Sequence, residues 1–411
     1  MTTTAPSSAE VSADIVIFGG GVAGLWILNQ LSSLGFSVLL LESTTLGNGQ
    51  SIASQGIIHG GLKYALGGSL SEAARSIAGM PDRWRNSLAG NDRVNLAACR
   101  TLSDRYYMWS EGSYRSRLKA FLGSKSLRGK IDAVAESEYP ASMQQAKGQG
   151  SLYSLPDFVV DTGSLIDTLA THHRERIFSL DGTVYGFSPS AERNGTDLTI
   201  DTGTGRLTIR AQRIVLAAGE GNAALLQLAG LDAPTMQTRP LNMVLLKKRG
   251  LPKLFVHCIG DNFSLTPVLT LTSHPCRDGD TAWYLGGELA ETGVKRNDQE
   301  QIAAATHTVH DLFPWVDLSD ARWACLRINR AEGSEAGRHR PDSAFLKAEQ
   351  NFLVAWPTKF TLSPALADQV VLELSEQGVN PAWSYQPEIP ASFLKPVTVA
   401  KPPWETCFAE A

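Results

Sequence analysis

The sequence predicts an α/β fold in which a Rossmann-type dinucleotide-binding domain is interleaved with an α+β domain built on an antiparallel sheet. Three observations predict it. A glycine fingerprint at Asp14 to Ser43 sits between a short apolar run and an amphipathic helix pattern. Segments of alternating apolar and polar residues fill the interval from Thr238 to Arg330. Buried-type apolar runs return at Arg213 to Gly219 and at Asn351 to Trp356, the second followed by a helix pattern.

The first element is DIVIFGGGVAGLWILNQLSSLGFSVLLLES. Ile15 to Phe18 form a parallel-strand run, and Gly19-x-Gly21-x-x-Gly24 follows at once. Leu25, Leu28 and Leu31 recur at helical spacing, Gly35 closes the helix, and a second strand, Phe36 to Leu41, ends at Glu42. Gly19 permits the tight strand-to-helix turn, Gly21 lets the backbone approach a pyrophosphate, and Gly24 lets the helix pack on the strand. Glu42, 18 residues beyond Gly24, is spaced to accept from a ribose 2′-hydroxyl, and its charge disfavours a 2′-phosphate. With strand, helix, second strand and acid in order, a dinucleotide site is predicted. Gly219-x-Gly221-x-x-Ala224 lacks a following strand that ends in an acid or arginine, so one dinucleotide is expected.

Beyond this unit the chain does not continue as regular βαβ alternation. It enters a polar, glycine-rich segment, LGNGQSIASQGIIHGGLKYALGGSLSEAA. Residues 71–148 are charged and are expected to be rich in helix, as an excursion into a cap. Asp157 to Asp161 reads as a short strand, with an N-capped helix starting at Thr162. The segments beginning at Asn242, Leu254, Val268 and Trp283 read as strands with one wet face, the substrate-domain sheet. Expected boundaries are 10–75, 150–228 and 335–376 for the dinucleotide domain, 76–149 and 229–334 for the cap, and 377–411 for a Pro-rich tail. That tail, with Trp383, Tyr385 and Trp404, reads as a surface wrap or a partner-docking segment.

Composition narrows the class. The 411 residues suffice for two or three domains, and a net charge of -4 argues against a nucleic-acid partner. No apolar run reaches membrane-spanning length and the N-terminus has no secretory pattern, so a soluble cytoplasmic protein is expected. Cys99, Cys258, Cys276, Cys325 and Cys407 are scattered without CxxC spacing, and His307-x-x-His310 has no completing ligands; no metal is expected.

Together the GxGxxG at Gly19 to Gly24, Glu42, the strand ending Ala217-Ala-Gly219 and the strand–loop–helix at Phe352 to Leu374 resemble the D-amino-acid-oxidase-like FAD-dependent oxidoreductases. Within that family SQGIIHGGLKYALGGSL is most similar to the L-2-hydroxyglutarate oxidase and glycerol-3-phosphate dehydrogenase branches. The loop WPTKFTLSP lacks the glycine pair usual at the family's flavin-contacting turn. The resemblance implies FAD as cofactor. It places FAD contacts at Gly19, Gly21, Val22, Ala23, Gly24, Glu42 and Ser43, and at Ser51, Ser54, Gln55 and Gly56. Val184 and Gly219 follow in the middle of the chain, then Thr358, Lys359, Phe360 and Thr361 in the C-terminal loop. It further implies oxidation of a small 2-hydroxy acid by hydride transfer to flavin N5, with oxygen or an external acceptor taking the electrons. The alternative is oxidation of an amino acid or N-alkyl amine to an imine.

His59 is the one imidazole among Gly56, Gly60 and Gly61, and the glycines are expected to let the backbone run against the flavin ring. Three roles stay open for it: general base, covalent flavin attachment, and a structural hydrogen bond. Tyr64 and Lys63 are placed to share its cavity. Lys359 is a candidate for positive charge beside the flavin, and Arg327 and Arg330 are candidates to clamp a substrate carboxylate or to pair with Glu332.

Overall fold

The strand Ser7–Phe18 is the axis of a nine-stranded sheet. Gly205–Leu216 lies parallel to it on one side and Val38–Glu42 on the other. Phe352–Trp356 extends the parallel set beyond Leu216. These runs carry Ile, Val and Leu on both faces because helices or chain cover both sides. The helix Val22–Ser33 packs Leu25, Leu28 and Leu31 on one face, with Leu366 and Val370 of the helix Ser363–Glu376 beside them. The register matters most for function. Phe18 pairs with both Leu41 and Leu216, and Leu216 pairs with Val354, so four strands end level. The turns that follow, at Gly19, Glu42, Ala217 and Pro357, therefore share one carboxyl edge, where α/β sheets bind ligands.

In this computed structural model the described residues are 7–61, 77–111, 131–190, 194–260, 266–334, 341, 343–382 and 387–408. Tyr64, Lys63, Trp383 and Tyr385 lie outside them.

An eight-stranded second sheet faces that edge. In order it runs Arg322–Ser334, Thr235–Lys248, Thr281–Gly286, Leu269–Pro275, Val256–Ile259, Tyr106–Glu111, Gly150–Leu155 and Asp132–Ala133. All pairings are antiparallel except Val256–Ile259 with Tyr106–Glu111. Each of the four segments read as wet-faced strands contributes a strand to this sheet, but three of them lack the expected wet face: 242–247, 269–274 and 282–286 are buried on both faces, with Asn242, Thr272 and His274 at 0% exposure. The stretch CLRINRAEG is part of a 13-residue strand along Thr235–Lys248, whose pairing holds it extended despite its charges. Of the residues 71–148 expected to be rich in helix, 71–76 and 112–130 lie outside those described; the others hold the helix Met80–Leu88 and short 3-10 turns, while Tyr106–Glu111 joins the sheet.

A small third sheet orders Ile57–Ile58, Phe158–Val160 and Thr101–Ser103, and fixes the segment that carries His59. Asp161 then caps the helix Thr162–Thr171 by accepting from the Ser164 amide at 2.8 Å. The C-terminal tail is bound to the protein over the part described. Lys395–Pro396 pairs with Ile177–Ser179, and Trp404 is 3% exposed, stacked on His274 with ring centroids 3.7 Å apart. No described helix is long and apolar enough to cross a membrane.

Candidate active site

Gly19 leaves its strand at φ +108, and a Cβ there would lie 2.6 Å from the Ala217 carbonyl oxygen. At Gly24 a Cβ would meet the Gly19 carbonyl oxygen at 2.0 Å, so the helix start can sit this close to the strand only with glycine. Gly21 at the N-cap has no side chain to accept from the first turn and no acid occupies that turn, which leaves a positive dipole end at the sheet edge. Ser51 Oγ accepts from the Val22 amide at 2.9 Å and ties the following segment to the turn. Glu42 Oε2 accepts from the Gly20 amide at 2.7 Å and Oε1 from the Thr44 amide at 2.9 Å, which orients the carboxylate. Ser43 beside it is exposed.

From this edge a cavity of about 500 Å³ opens between the two large sheets. Val22, Ser51, Ser54, Gln55, Gly56, Gly219, Thr358, Lys359 and Phe360 line it, together with His59. Val184 does not. It lies on the strand Val184–Pro189, 73% exposed, at the outer end of the first sheet. Gln55 Nε2 donates to the carbonyls of Thr270 at 3.1 Å and Tyr284 at 2.9 Å, so it fastens the first domain's loop to the second sheet. Thr358 holds φ +61, and neither its hydroxyl nor that of Thr361, both buried, has a hydrogen-bond partner among the described residues. A helix end with glycine at its N-cap, an oriented Glu42 and threonine hydroxyls without a partner among the described residues are donors and acceptors suited to a dinucleotide.

The glycines around His59 pack against the protein itself, Gly56 on backbone and Gly60 and Gly61 on side chains. A Cβ on Gly56, at φ +70, would lie 2.1 Å from the Val160 oxygen, and one on Gly61, at φ +76, would lie 2.7 Å from Ile77. Gly60 approaches Pro156 and Asp157. This close packing seats His59 over a carboxylate that sequence reading passed by. Nδ1 of His59 lies 3.1 Å from Asp157 Oδ2, and the Gly60 amide donates to Oδ1 at 2.8 Å. Burial alone would raise the Asp157 carboxyl. The bond and charge of His59, the Gly60 amide and His257 outweigh that and hold its pKa below the ordinary carboxylate value. A carboxylate only accepts, so the neutral imidazole carries its proton on Nδ1 and keeps a lone pair on Nε2.

His257 stacks on His59 at 5.9 Å, and its Nδ1 meets Thr270 Oγ1 at 2.9 Å. Burial, then the charge of His59, pushes its pKa down to about 3, so it is neutral near pH 7. His59, Asp157 and His257 offer ligand atoms within 4.8 Å of one another, a cluster that no sequence spacing announces. Asp157 is 98 positions from His59 and the only local signal was an acid before an apolar strand. His307 and His310 lie on an exposed helix face beside Asp311.

The two arginines separate. Arg330 lines the cavity, with one amino nitrogen 3.3 Å from Glu291 Oε1. Arg327 is 52% exposed and donates to the carbonyls of Arg296 at 2.6 Å and Val294 at 3.3 Å, outside the cavity lining. Alternation along the strand Arg322–Ser334 explains the split: Arg330 shares its face with Ile328, and Arg327, three residues away, points the other way. Glu332 pairs with neither, but with Arg239 at 2.7 Å.

This constellation of a nucleotide edge and an enclosed His–Asp pair is that of a flavin-type oxidoreductase, and comparison with known proteins agrees. Residues 14–371 match the FAD dependent oxidoreductase family model, and the chain belongs to that family. A probable FAD-dependent oxidoreductase of Pseudomonas aeruginosa is 42% identical over 401 residues, 97% of this chain and 99% of that one. The crystal structure of an FAD dependent oxidoreductase from the same organism superposes with a TM-score of 0.81 at 38% identity, covering 98% of this chain and 100% of that chain. At 15% identity, the FAD-bound L-alpha-glycerophosphate oxidase of Mycoplasma pneumoniae shares the fold, with a TM-score of 0.66 over 95% and 99% of the two chains. The chain is therefore an FAD-dependent oxidoreductase, and FAD is its cofactor.

Proposed function

We propose that the protein oxidises a small 2-hydroxy acid, with His59 as general base. The observation that supports this reading is the His59–Asp157 pair on the cavity wall. FAD, when bound along the sheet edge, supplies the two-electron acceptor. The side chains present supply the rest. Asp157 holds the ring by its Nδ1–H, which leaves Nε2 to take the proton of the substrate hydroxyl. Asp157 also stabilises the imidazolium that results, as a buried carboxylate beside a base does. Arg330 seats the substrate carboxylate, and Lys359 places positive charge at the cofactor side of the cavity. The apolar walls exclude water, which strengthens both charge interactions.

The test is anaerobic bleaching of the holoenzyme's visible flavin band, about 450 nm, with 2-hydroxy acids, amino acids and N-methyl amines added singly. Rapid bleaching by hydroxy acids, lost in His59→Ala with FAD retained, is the expected result. Bleaching by amines alone would overturn the reading.

A further inference from the structure

The second sheet brings one face of five strands to the cavity, and that face is almost wholly apolar. Leu241 and Met243 of Thr235–Lys248 point the same way, at i and i+2. Ile328, the cross-strand partner of Leu241, extends the face, and beyond two intervening strands Ile259, Met108 and Leu155 line the cavity beside His257. Among the described residues only two cations line the cavity, Arg330 and Lys359. Arg330 is already offset in part by Glu291, and Asp157 adds a further carboxylate at the other polar point.

We infer that the substrate is a monocarboxylate with an apolar side chain of several carbons, seated by Arg330 and packed on Leu241, Met243 and Ile328. A second anionic group, whether a distal carboxylate or a phosphate ester, would lie on this apolar face. It would lose its hydration against Leu241, Met243 and Ile328, and it would face Glu291 beside Arg330. Each methylene of an alkyl chain, in contrast, gains by leaving water. The inference rests on the 2-hydroxy acid reading only for the carboxylate at Arg330; the apolar face stands whichever carbon–heteroatom bond is oxidised.

The experiment uses the FAD-loaded enzyme and unreactive acids, read as perturbation of the flavin band. Acetate, propionate, butyrate and valerate are titrated beside succinate and glutarate. Kd is expected to fall about fourfold per added methylene, with succinate weaker than butyrate by more than about tenfold. In Leu241→Lys, which introduces a cation on the face, glutarate is expected to gain on valerate while FAD content is kept. If that variant does not hold FAD, the wild-type series decides alone. A Kd that ignores chain length, a dicarboxylate that binds as tightly as its monocarboxylate analogue, or no binding by any acid would overturn the inference. Its failure is distinct from failure of the oxidation reading: bleaching by amino acids alone leaves this order of affinities unchanged, and bleaching by hydroxy acids does not rescue it.

Discussion

Nδ1 of His59 lies 3.1 Å from Oδ2 of Asp157, and the two side chains differ sharply in surroundings: 41% exposed for the imidazole and 3% for the carboxylate. In the proposed reaction the base is thus held by a carboxylate that is almost wholly buried beside it. Asp157→Asn keeps the shape but puts an amide where the carboxylate accepted. If its NH2 faces the ring, Nδ1 must become the acceptor and the proton moves to Nε2, the wrong tautomer for a base. The rate of flavin reduction is expected to fall by about 10²–10⁴-fold, with FAD content unchanged. Stopped-flow reduction and the flavin-to-protein absorbance ratio check both. Because the Asp157 pKa is depressed, its stabilising contribution is present above the ordinary carboxylate range and is lost only as pH falls through the lower folded value. No acid limb near neutrality should come from Asp157.

Gly24→Ala tests the cofactor edge. The new Cβ would sit 2.0 Å from the Gly19 carbonyl, and that contact is backbone to backbone, so no side chain can swing away. The helix must shift outward, taking the first-turn amides from their positions. The expected variant folds with a loss of about 1–3 kcal/mol and purifies largely without FAD. A yellow Gly24→Ala protein of wild-type melting temperature would contradict this.

The Gly19–Glu42 unit was legible because its geometry is local: strand, turn, helix and acid lie within 30 residues and glycine marks each close approach. The substrate sheet was legible as a series of strand-length runs, although its alternation did not mark a wet face, since 242–247, 269–274 and 282–286 are buried throughout. The partner of His59 was not, since Asp157 reaches it across a third sheet whose strands are two and three residues long, too short for any periodicity. The arginines show a related limit. Arg327 and Arg330 are three apart, which puts them on opposite faces of a strand, but the segment had first to be seen as a strand. Val184, which the family resemblance gives as an FAD contact, lies on an exposed edge strand outside the cavity lining.

His274 predicts how stability follows pH. It is fully buried, bonded through Nε2 to Thr272 Oγ1 at 2.9 Å, and stacked on Trp404. Burial pushes its pKa down to about 3, against 6.5 for an ordinary imidazole. The unfolded chain therefore binds a proton below about pH 6.5 that the folded one refuses, and stability falls as pH drops through that window toward 3. At pH 5 the cost for this one residue is about 2 kcal/mol. His257 adds a loss of the same sign. In His274→Phe, which preserves the stack, urea midpoints at pH 7.5 and pH 5 are expected to differ less than in wild type.

Trp404 ties the C-terminal segment to the wall behind the cavity, where it packs with Met243 and Tyr284. Trp404→Ala removes a nearly buried indole and is expected to cost about 3–5 kcal/mol. Because Met243 lines the cavity, the Kd for valerate should also rise. Chemical denaturation and the acid titration measure the two effects on the same protein, and a variant that loses neither would show the tail to be a passive wrap.

The two arginines give the sharpest separation of roles. Arg330→Leu removes the cavity's substrate-side cation and leaves Glu291 facing the ligand, so carboxylate binding loses a charge-assisted hydrogen bond and gains a repulsion. KM for the hydroxy acid is expected to rise about 10- to 100-fold, with kcat changed far less, because the reacting carbon is still presented to His59. Arg327→Leu breaks contacts to the Val294 and Arg296 carbonyls on the outer face. There it should cost a little stability and leave KM within about twofold. Steady-state kinetics on both variants, with Arg330→Leu/Glu291→Gln to separate lost attraction from added repulsion, decides the assignment. Equal KM effects from the two positions would mean that substrate does not sit against the Arg330 face at all.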